Sequence, residues 1–598
     1  MAARTLEPFP NLVAMFFARA ADKGDAPFLA HKVDGSWRSI SWAEAARQVA
    51  SLASALRALG LRAGDRVMLV SENRPEWCIS DLGIMAAGCV TVPTYTTNTE
   101  RDHQHIQENS GACAVIVSTA KLAKTLMPAV LRASQARIVI GMDELRLGQA
   151  GAIDFHHWDK LIADHPTEAS HVAPFATATR EDLACIIYTS GTGGSPRGVM
   201  QHHGAILHNV NGCLSAITAD LPGGEDVFLS FLPLSHAYEH SAGQYLPIGL
   251  GAQIYYAEGI DKLASNIAEV RPTLMVVVPR LLEVLRTRIT KAVEKQGKVS
   301  NYLLDRALSI GRKDAERGVP VQDRPMQLLT SLLLKPKIAQ RFGGRLKAMV
   351  AGGAPLNPEV GQFFQSLGLI VLQGYGQTEA GPVISCNRPA AGLKMDTVGP
   401  PLADTEVRIA QDGEILVRGE LVMHGYWRND EETARVLRDG WLHTGDIGLI
   451  DDKGRIKITD RKKDIIVNDK GDNVAPQKVE GMLTLQPEIV QAMIHGDRRP
   501  YMVAVIVPDP EWTQEWCAKG GARCDFAALS DDPAYRAAIS AAVDRVNRDL
   551  SVTERVRRFI LADAPFAIEN EQLTPSLKIR RHVLRAAYGE RLDALYRA

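Results

Sequence analysis

Short apolar runs rich in β-branched residues recur along this chain, at Arg66 to Val70, Ala114 to Val117, Ile138 to Ile140, Ile186 to Tyr188 and Leu274 to Val278. They are apolar throughout instead of alternating with polar residues, the pattern of strands buried on both faces of a parallel sheet. A helical pattern, Trp42 to Leu59, separates the earlier runs. The fold class is therefore read as α/β. From Val398 to about Ile458 the texture changes to closely spaced short strands broken by Gly and Asp, such as Glu414 to Arg418 and Arg455 to Thr459. That stretch predicts a small β-barrel or sheet. Beyond it the polar segment Asp460 to Asp464 precedes a separate small unit. There Ile489 to Ile494 and Tyr501 to Val507 predict a hairpin across Gly496 to Pro500. Asp532 predicts an N-cap, with Pro533 in the first turn of a helix whose apolar positions Ile539, Ala542, Val543, Val546 and Leu550 keep a 3.6-residue period.

Size and charge bound the function. At about 150 residues per domain, 598 residues give about four domain-sized units, enough for a large core. With 68 Lys and Arg against 69 Asp and Glu, the net charge of -1 provides no global field for nucleic acid or an anionic membrane, although a local basic patch stays open. The eight cysteines form no C-x-x-C pair and sit mostly in apolar runs, so they read as reduced core residues of a cytoplasmic protein. Leu12 to Ala18 lacks the basic start and the cleavage site of a signal peptide. No segment approaches the roughly 18 uncharged apolar residues that span a bilayer, so membrane contact is expected to be peripheral, on the inner face.

Two segments carry the strongest chemical signals. Tyr188 to Met200, YTSGTGGSPRGVM, follows an apolar run and carries Gly191, Gly193, Gly194 and Gly198 beside the hydroxyls of Thr189, Ser190, Thr192 and Ser195. Such a backbone can wrap phosphate oxygens closely while N–H and O–H groups donate to them. It is not a Walker A loop, since no Gly-Lys-Ser/Thr closes it, and on composition alone the surface-turn reading is the stronger one. Gln373 to Pro382, QGYGQTEAGP, sets Glu379 among small residues, where its carboxylate suits Mg²⁺, or faces solvent in a tight connection. Three weaker signals accompany them: AGGAPL at Ala351 to Leu356, flat enough for a purine; HTGD at His443 to Asp446, a carboxylate for ribose hydroxyls; and Lys578 within QLTPSLKIRR.

These segments, together with Pro233 to His236 and Asp460 to Asp464, stand in the order and at the approximate separations of the adenylate-forming superfamily of acyl-CoA synthetases, adenylation domains and luciferases. The resemblance runs from Phe16 to about Tyr596. It is strongest to long-chain fatty acyl-CoA synthetases, through Arg271 to Leu285, Asp460 to Glu480 and Leu573 to Arg581. It implies two α/β subdomains and a small β-barrel in a large N-terminal domain, residues 1–459. A hinge at 460–464 and a smaller mobile α+β domain at 465–598 follow. It also implies activation of a carboxylic acid by ATP to acyl-AMP, then thioester formation with coenzyme A. Partners are small molecules, with no nucleic acid; a homodimer is compatible with the reading.

Roles follow from the resemblance residue by residue. Thr189 and Glu379 would hold Mg²⁺, and Ser190, Gly191, Thr192, Gly193 and Gly194 would cradle the β- and γ-phosphates, with Arg197 in place of the usual Lys. Gly353, Ala354, Gln373, Gly374 and Tyr375 would surround adenine, Gly376 would also line the nucleotide site, and Thr378 would meet the α-phosphate. Asp446 and Arg461 would fix the ribose, Lys463 would mark the hinge, and Lys578 would reach the carboxylate and α-phosphate. His236 would wall the acyl pocket. The loop has Gly193-Gly194 where the family usually has Thr-Gly, and no Trp follows His236 to gate an acyl tunnel. His236-Ala-Tyr-Glu239-His240 also matches the H-x-x-E-H zinc pattern, but it stands where the resembled family places its aromatic or His wall. Rival functions are an acyl-AMP ligase serving a carrier protein, a CoA ligase for aryl or medium-chain acids, and a silent nucleotide-binding homologue.

Overall fold

The computed structural model describes residues 4–133, 135–145, 153–172, 177–189, 196–520, 529–567, 569–574 and 579–597. By contacts the chain divides into two compact units: Met1–Arg408 with Leu416–Thr444 and Ile450–Lys457, and Ile409–Ile415 with Gly445–Leu449 and Ile458–Ala598.

The apolar runs became strands of two wound sheets in the first unit. One has seven strands, in the order Asp154–His157, Ile138–Gly141, Ala114–Val117, Arg66–Val70, Val90–Thr94, Leu183–Thr189 and Arg197–His202. All neighbours are parallel except the last pair, an antiparallel hairpin. The other has eight strands, with Gln253–Tyr256, Val227–Ser230, Leu274–Val277, Ala348–Ala351 and Val371–Gly376 running parallel inside it. Antiparallel strands, Ser36–Ser41 and Val383–Cys386, close its two edges. Leu274–Val277 ends one residue short of the predicted run because Val278 caps the helix that Pro279 opens, the extended residue before Pro being unsuited to helix.

The predicted helix Trp42–Ala58 forms, with Ser41 accepting the Glu44 N–H as its N-cap. Its Trp42 stacks on Phe28 at 3.7 Å between ring centroids, and Phe16, Trp77 and Tyr245 join the same core. The polar edge strand Asp154–His157 carries no apolar run and escapes a hydrophobicity reading.

Between Glu406 and Arg461 the chain runs through five short strands, Glu406–Ile409, Glu414–Arg418, Leu437–Arg438, Trp441–Ile450 and Ile456–Arg461, whose residues are divided between the units. The rest of the second unit is built on a three-stranded sheet. Ile489–His495 and Met502–Pro508 form the predicted hairpin, and Val556–Leu561 lies parallel to the latter. Helix Pro533–Arg548 starts where the sequence predicts, Asp532 accepting the Tyr535 N–H at 2.8 Å. It buries Ile539, Ala542, Val543 and Val546, with Leu550 buried just past its end. Cys78, Cys89, Cys113, Cys185, Cys213 and Cys386 are free thiols as expected; Cys517 departs from the expectation in being disulfide-bonded.

Candidate active site

The hairpin Leu183–Thr189/Arg197–His202 sets the geometry of the first unit's site. Thr189 pairs with Arg197 at the strands' ends. Gly198 is sterically required in this hairpin: a Cβ there would lie 2.7 Å from Ile186 Cγ2 and 3.0 Å from the Tyr188 ring. Ser190, Gly191, Thr192, Gly193, Gly194 and Ser195 lie outside the described residues.

The second hairpin strand brings distant segments together. The Gln201 side chain donates to the Thr378 carbonyl at 2.7 Å, and Val199 bridges Tyr426. The Tyr426 hydroxyl then donates to Glu379 Oε1 at 2.7 Å, and the Met423 N–H meets the Glu379 carbonyl. Burial, reinforced by the Glu379 carboxylate, raises the Tyr426 phenol above its ordinary value, so the proton stays on the phenol. Arg197 lies over the Tyr426 ring, 5.0 Å from its centroid, and is ion-paired to Glu432. Its charge therefore braces Tyr426 in this conformation, a use the sequence did not suggest.

Thr378 and Glu379 continue from the strand Val371–Gly376, which carries Gln373, Gly374, Tyr375 and Gly376. Ala351, at the end of the neighbouring parallel strand, pairs with Gln373, and Gly353 and Ala354 follow at its exposed exit. These residues thus share the carboxyl ends of adjacent strands, where open α/β sheets bind ligands. Gly376 is sterically demanded, because a Cβ would lie 2.0 Å from the Pro382 carbonyl oxygen. Among the described residues, Gln373 Oε1 and Gln377 Nε2 are buried without a hydrogen-bond partner. Unpaired buried amide groups are costly, and a nucleotide's donors and acceptors would satisfy them. The Glu379 carboxylate, oriented by one neutral phenol, is a hard oxygen donor of the kind Mg²⁺ takes.

His236 caps a short helix, its Nδ1 accepting the Tyr238 N–H at 3.1 Å, and its ring lies 6.4 Å from that of Tyr95. The H-x-x-E-H members that follow have structural partners. Ser230 donates to Glu239 Oε1, and His240 Nε2 meets Asp81 Oδ2, which also accepts from Gln244 and Tyr245. Burial would raise Asp81, but the charge on His240 and the hydrogen bonds from His240 and Tyr245 outweigh it and hold the carboxyl below its ordinary value. Burial pushes Glu239 up to about 8 from an ordinary value near 4.5. Below pH 4.5 both folded and unfolded chains hold this proton. Between about 4.5 and 8 only the unfolded chain ionises, so Glu239 subtracts stability increasingly as pH rises. Glu239→Gln is therefore expected to gain a few kcal/mol over wild type at pH 8.5 and little at pH 4.5. Urea midpoints at both pH values check it; a gain that does not change with pH would contradict a neutral buried Glu239.

One group of described residues has metal-ligand proximity: Glu181, His202 and His424. His202 is committed elsewhere. Its Nδ1 accepts the Ala205 N–H as the cap of helix His203–Asp220, and its Nε2 faces the Val422 carbonyl.

In the second unit the predicted pair Asp446 and Arg461 is brought together, Arg461 Nε donating to Asp446 Oδ1 at 2.9 Å. The Lys462 N–H meets the Gly445 carbonyl, and the Gly445 N–H donates to Glu414 Oε1, fixing the strand Trp441–Ile450 where it carries Asp446. Lys463 is exposed in the turn after Arg461. Lys578 lies outside the described residues. Its flanks are anchored: Leu573 bridges Ile579, the Arg580 N–H donates to the Gln572 carbonyl, and Arg581 makes a bidentate pair with Glu480. Tyr426, Gln201 and Glu414 were missed by sequence reasoning. Each acts through a partner far along the chain, with no local motif.

Residues 16–427 match the family model described as AMP-binding enzyme, and residues 463–598 match that of the AMP-binding enzyme C-terminal domain. The chain is 33% identical to the long-chain-fatty-acid–CoA ligase FadD15 of Mycobacterium tuberculosis, over 99% of this chain and 98% of that protein. It is 33% identical to the peroxisomal long chain acyl-CoA synthetase 7 of Arabidopsis thaliana, over 94% of this chain and 83% of the relative. The adenylation domain of a carboxylate reductase from Mycobacterium chelonae superposes with a TM-score of 0.78 at 24% identity, covering 99% of this chain and 92% of that one.

Proposed function

The chain belongs to the AMP-binding enzyme family, and from that membership we propose an AMP-forming ligase that joins a long-chain fatty acid to coenzyme A. As an adenylate-forming enzyme it activates a carboxylic acid with ATP. The observation that carries the finer reading is the end-to-end similarity to long-chain ligases, supported by the hydrogen bonds that Gln201 and Tyr426 make to Thr378 and Glu379.

A carboxylate is a poor acyl donor because its oxygen is a poor leaving group. In the first half-reaction a carboxylate oxygen attacks the α-phosphorus of ATP, the bond to the bridging oxygen breaks, and pyrophosphate leaves with that electron pair. In the second the CoA thiol loses its proton and attacks the acyl carbon, and AMP departs. No protein nucleophile is needed, so positioning and charge stabilisation supply the catalysis. Mg²⁺, held by Glu379 and Thr189, would neutralise phosphate oxygens. Tyr426, protonated, keeps the Glu379 carboxylate turned to one orientation. Gln373, Gly374 and Tyr375 with Gly353 and Ala354 take adenine; Asp446 and Arg461 take the ribose; Thr378 meets the α-phosphate. Lys578 offsets the charge of the attacking carboxylate and α-phosphate in the first step only. The segment 460–464, with Lys463, is assigned as the hinge on which Lys578 is withdrawn before the thiol enters.

No helix among the described residues is long and apolar enough to cross a membrane, so contact with the lipids that hold long-chain acids would be peripheral. A pyrophosphate-exchange panel from acetate through long-chain fatty acids to aryl acids tests the substrate. Exchange is expected to be fastest with long-chain acids, and a maximum at acetate or an aryl acid would contradict the assignment.

A further inference from the structure

The charge of this chain is not evenly spread. From Pro279 to Lys347 it carries 16 Lys and Arg against 6 Asp and Glu, a local net of +10 in a protein whose total is -1. Within that stretch Arg324 to Lys347 holds six cations and no carboxylate. The exposed apolar side chains concentrate in the same place. Helix Arg324–Leu333 turns Thr330 inward, and Leu334 just past its end is buried. It leaves Leu328, Leu329, Leu332 and Leu333 at 63%, 41%, 66% and 48% exposure. Positions i, i+1, i+4 and i+5 fall on one helical face, so the helix presents an apolar stripe to solvent. Val321 and Tyr302, from the preceding turn and the neighbouring helix Lys298–Arg317, are exposed as well. The helices Lys298–Arg317 and Lys335–Arg341 both pack against this one. Exposed Arg324, Lys337, Arg341 and Arg345 accompany the leucines.

We propose that this face docks on an anionic lipid bilayer, the leucines entering the acyl boundary while the cations meet lipid phosphates. A solvent-facing apolar stripe of this kind marks an interaction site, and basic residues around it are the composition of an interfacial helix. Nucleic acid would use the cations but leave four leucines in water, and the one aromatic residue between Arg324 and Lys347, Phe342, is buried and offers no base a stacking surface. The surface gives a place to the peripheral contact proposed above, yet docking needs no substrate and stands apart from the acid's chain length.

Full-length protein is sedimented with phosphatidylcholine vesicles with and without phosphatidylglycerol, at low and high salt, in the absence of substrate. Binding is expected only with phosphatidylglycerol and weaker at high salt. The double variant L328E/L332E and the double variant K337E/R341E should each lower the partition coefficient by about tenfold or more. Their circular dichroism and their adenylation of detergent-dispersed acid should stay unchanged. Wild-type protein that remains in the supernatant, or variants that bind as wild type does, would overturn the proposal. So would a dimer that the leucine variant dissolves, or an RNA bound through the cations in preference to vesicles. Failure of adenylation with every acid in wild-type protein would strike the proposed function and leave the docking result intact.

Discussion

Lys578→Ala is expected to slow acyl-adenylate formation about 10²–10³-fold, the usual loss when one preorganised charge-stabilising donor is removed, while acyl-CoA forms from supplied acyl-AMP at close to the wild-type rate. The asymmetry follows from where charge converges. In the first half-reaction an anionic carboxylate approaches an anionic α-phosphate, and one ammonium between them lowers the barrier. In the second the acid is already neutralised as an anhydride, and a cation in the same place offers nothing to the arriving thiol. The flanks make the substitution interpretable: the Leu573–Ile579 bridge and the Arg581–Glu480 pair hold the segment's ends. Pyrophosphate exchange and the thiolysis of synthetic acyl-AMP, measured separately, check it. Equal loss of both half-reactions would withdraw the role assigned to Lys578.

Glu379→Gln should be comparably damaging and differently shaped. The amide keeps the volume and can still accept from Tyr426, so the strand-end geometry survives. What it removes is the anionic oxygen for Mg²⁺, so exchange should fall about 10²-fold, and the Mg²⁺ needed for half-maximal rate should rise. Tyr426→Phe is the informative companion. It leaves the carboxylate and frees its orientation, so a smaller loss with an unchanged Mg²⁺ profile is expected. Unaltered exchange by Glu379→Gln at limiting Mg²⁺ would remove Glu379 from the metal's ligands.

Most of the architecture was legible because buried parallel strands write themselves as uninterrupted apolar runs. Arg66–Val70 and Ala114–Val117 match residue for residue. Asp532 and Pro533 likewise marked a helix start through chemistry confined to a few adjacent residues. What was illegible is what depends on tertiary approach. The steric need for glycine at 198 shows only once Ile186 and Tyr188 are seen packed against it. The Glu432 carboxylate and the Tyr426 ring that neighbour Arg197 leave no signal around it in the sequence. Tyr426 belongs to no motif, and only its isolated bridge to Val199 brings its hydroxyl to Glu379. Asp446 and Arg461, by contrast, were associated by resemblance and are hydrogen-bonded to each other.

The claim that the protein joins an acid to coenzyme A through an adenylate is tested most directly by AMP release in purified protein supplied with ATP, Mg²⁺, a long-chain fatty acid and coenzyme A, each omitted in turn. Steady AMP release is expected only when both acid and coenzyme A are present, with one acyl-CoA formed for each AMP. Continuous AMP release without coenzyme A, or acyl-adenylate that accumulates untouched by coenzyme A and is consumed only by a carrier protein, would contradict it.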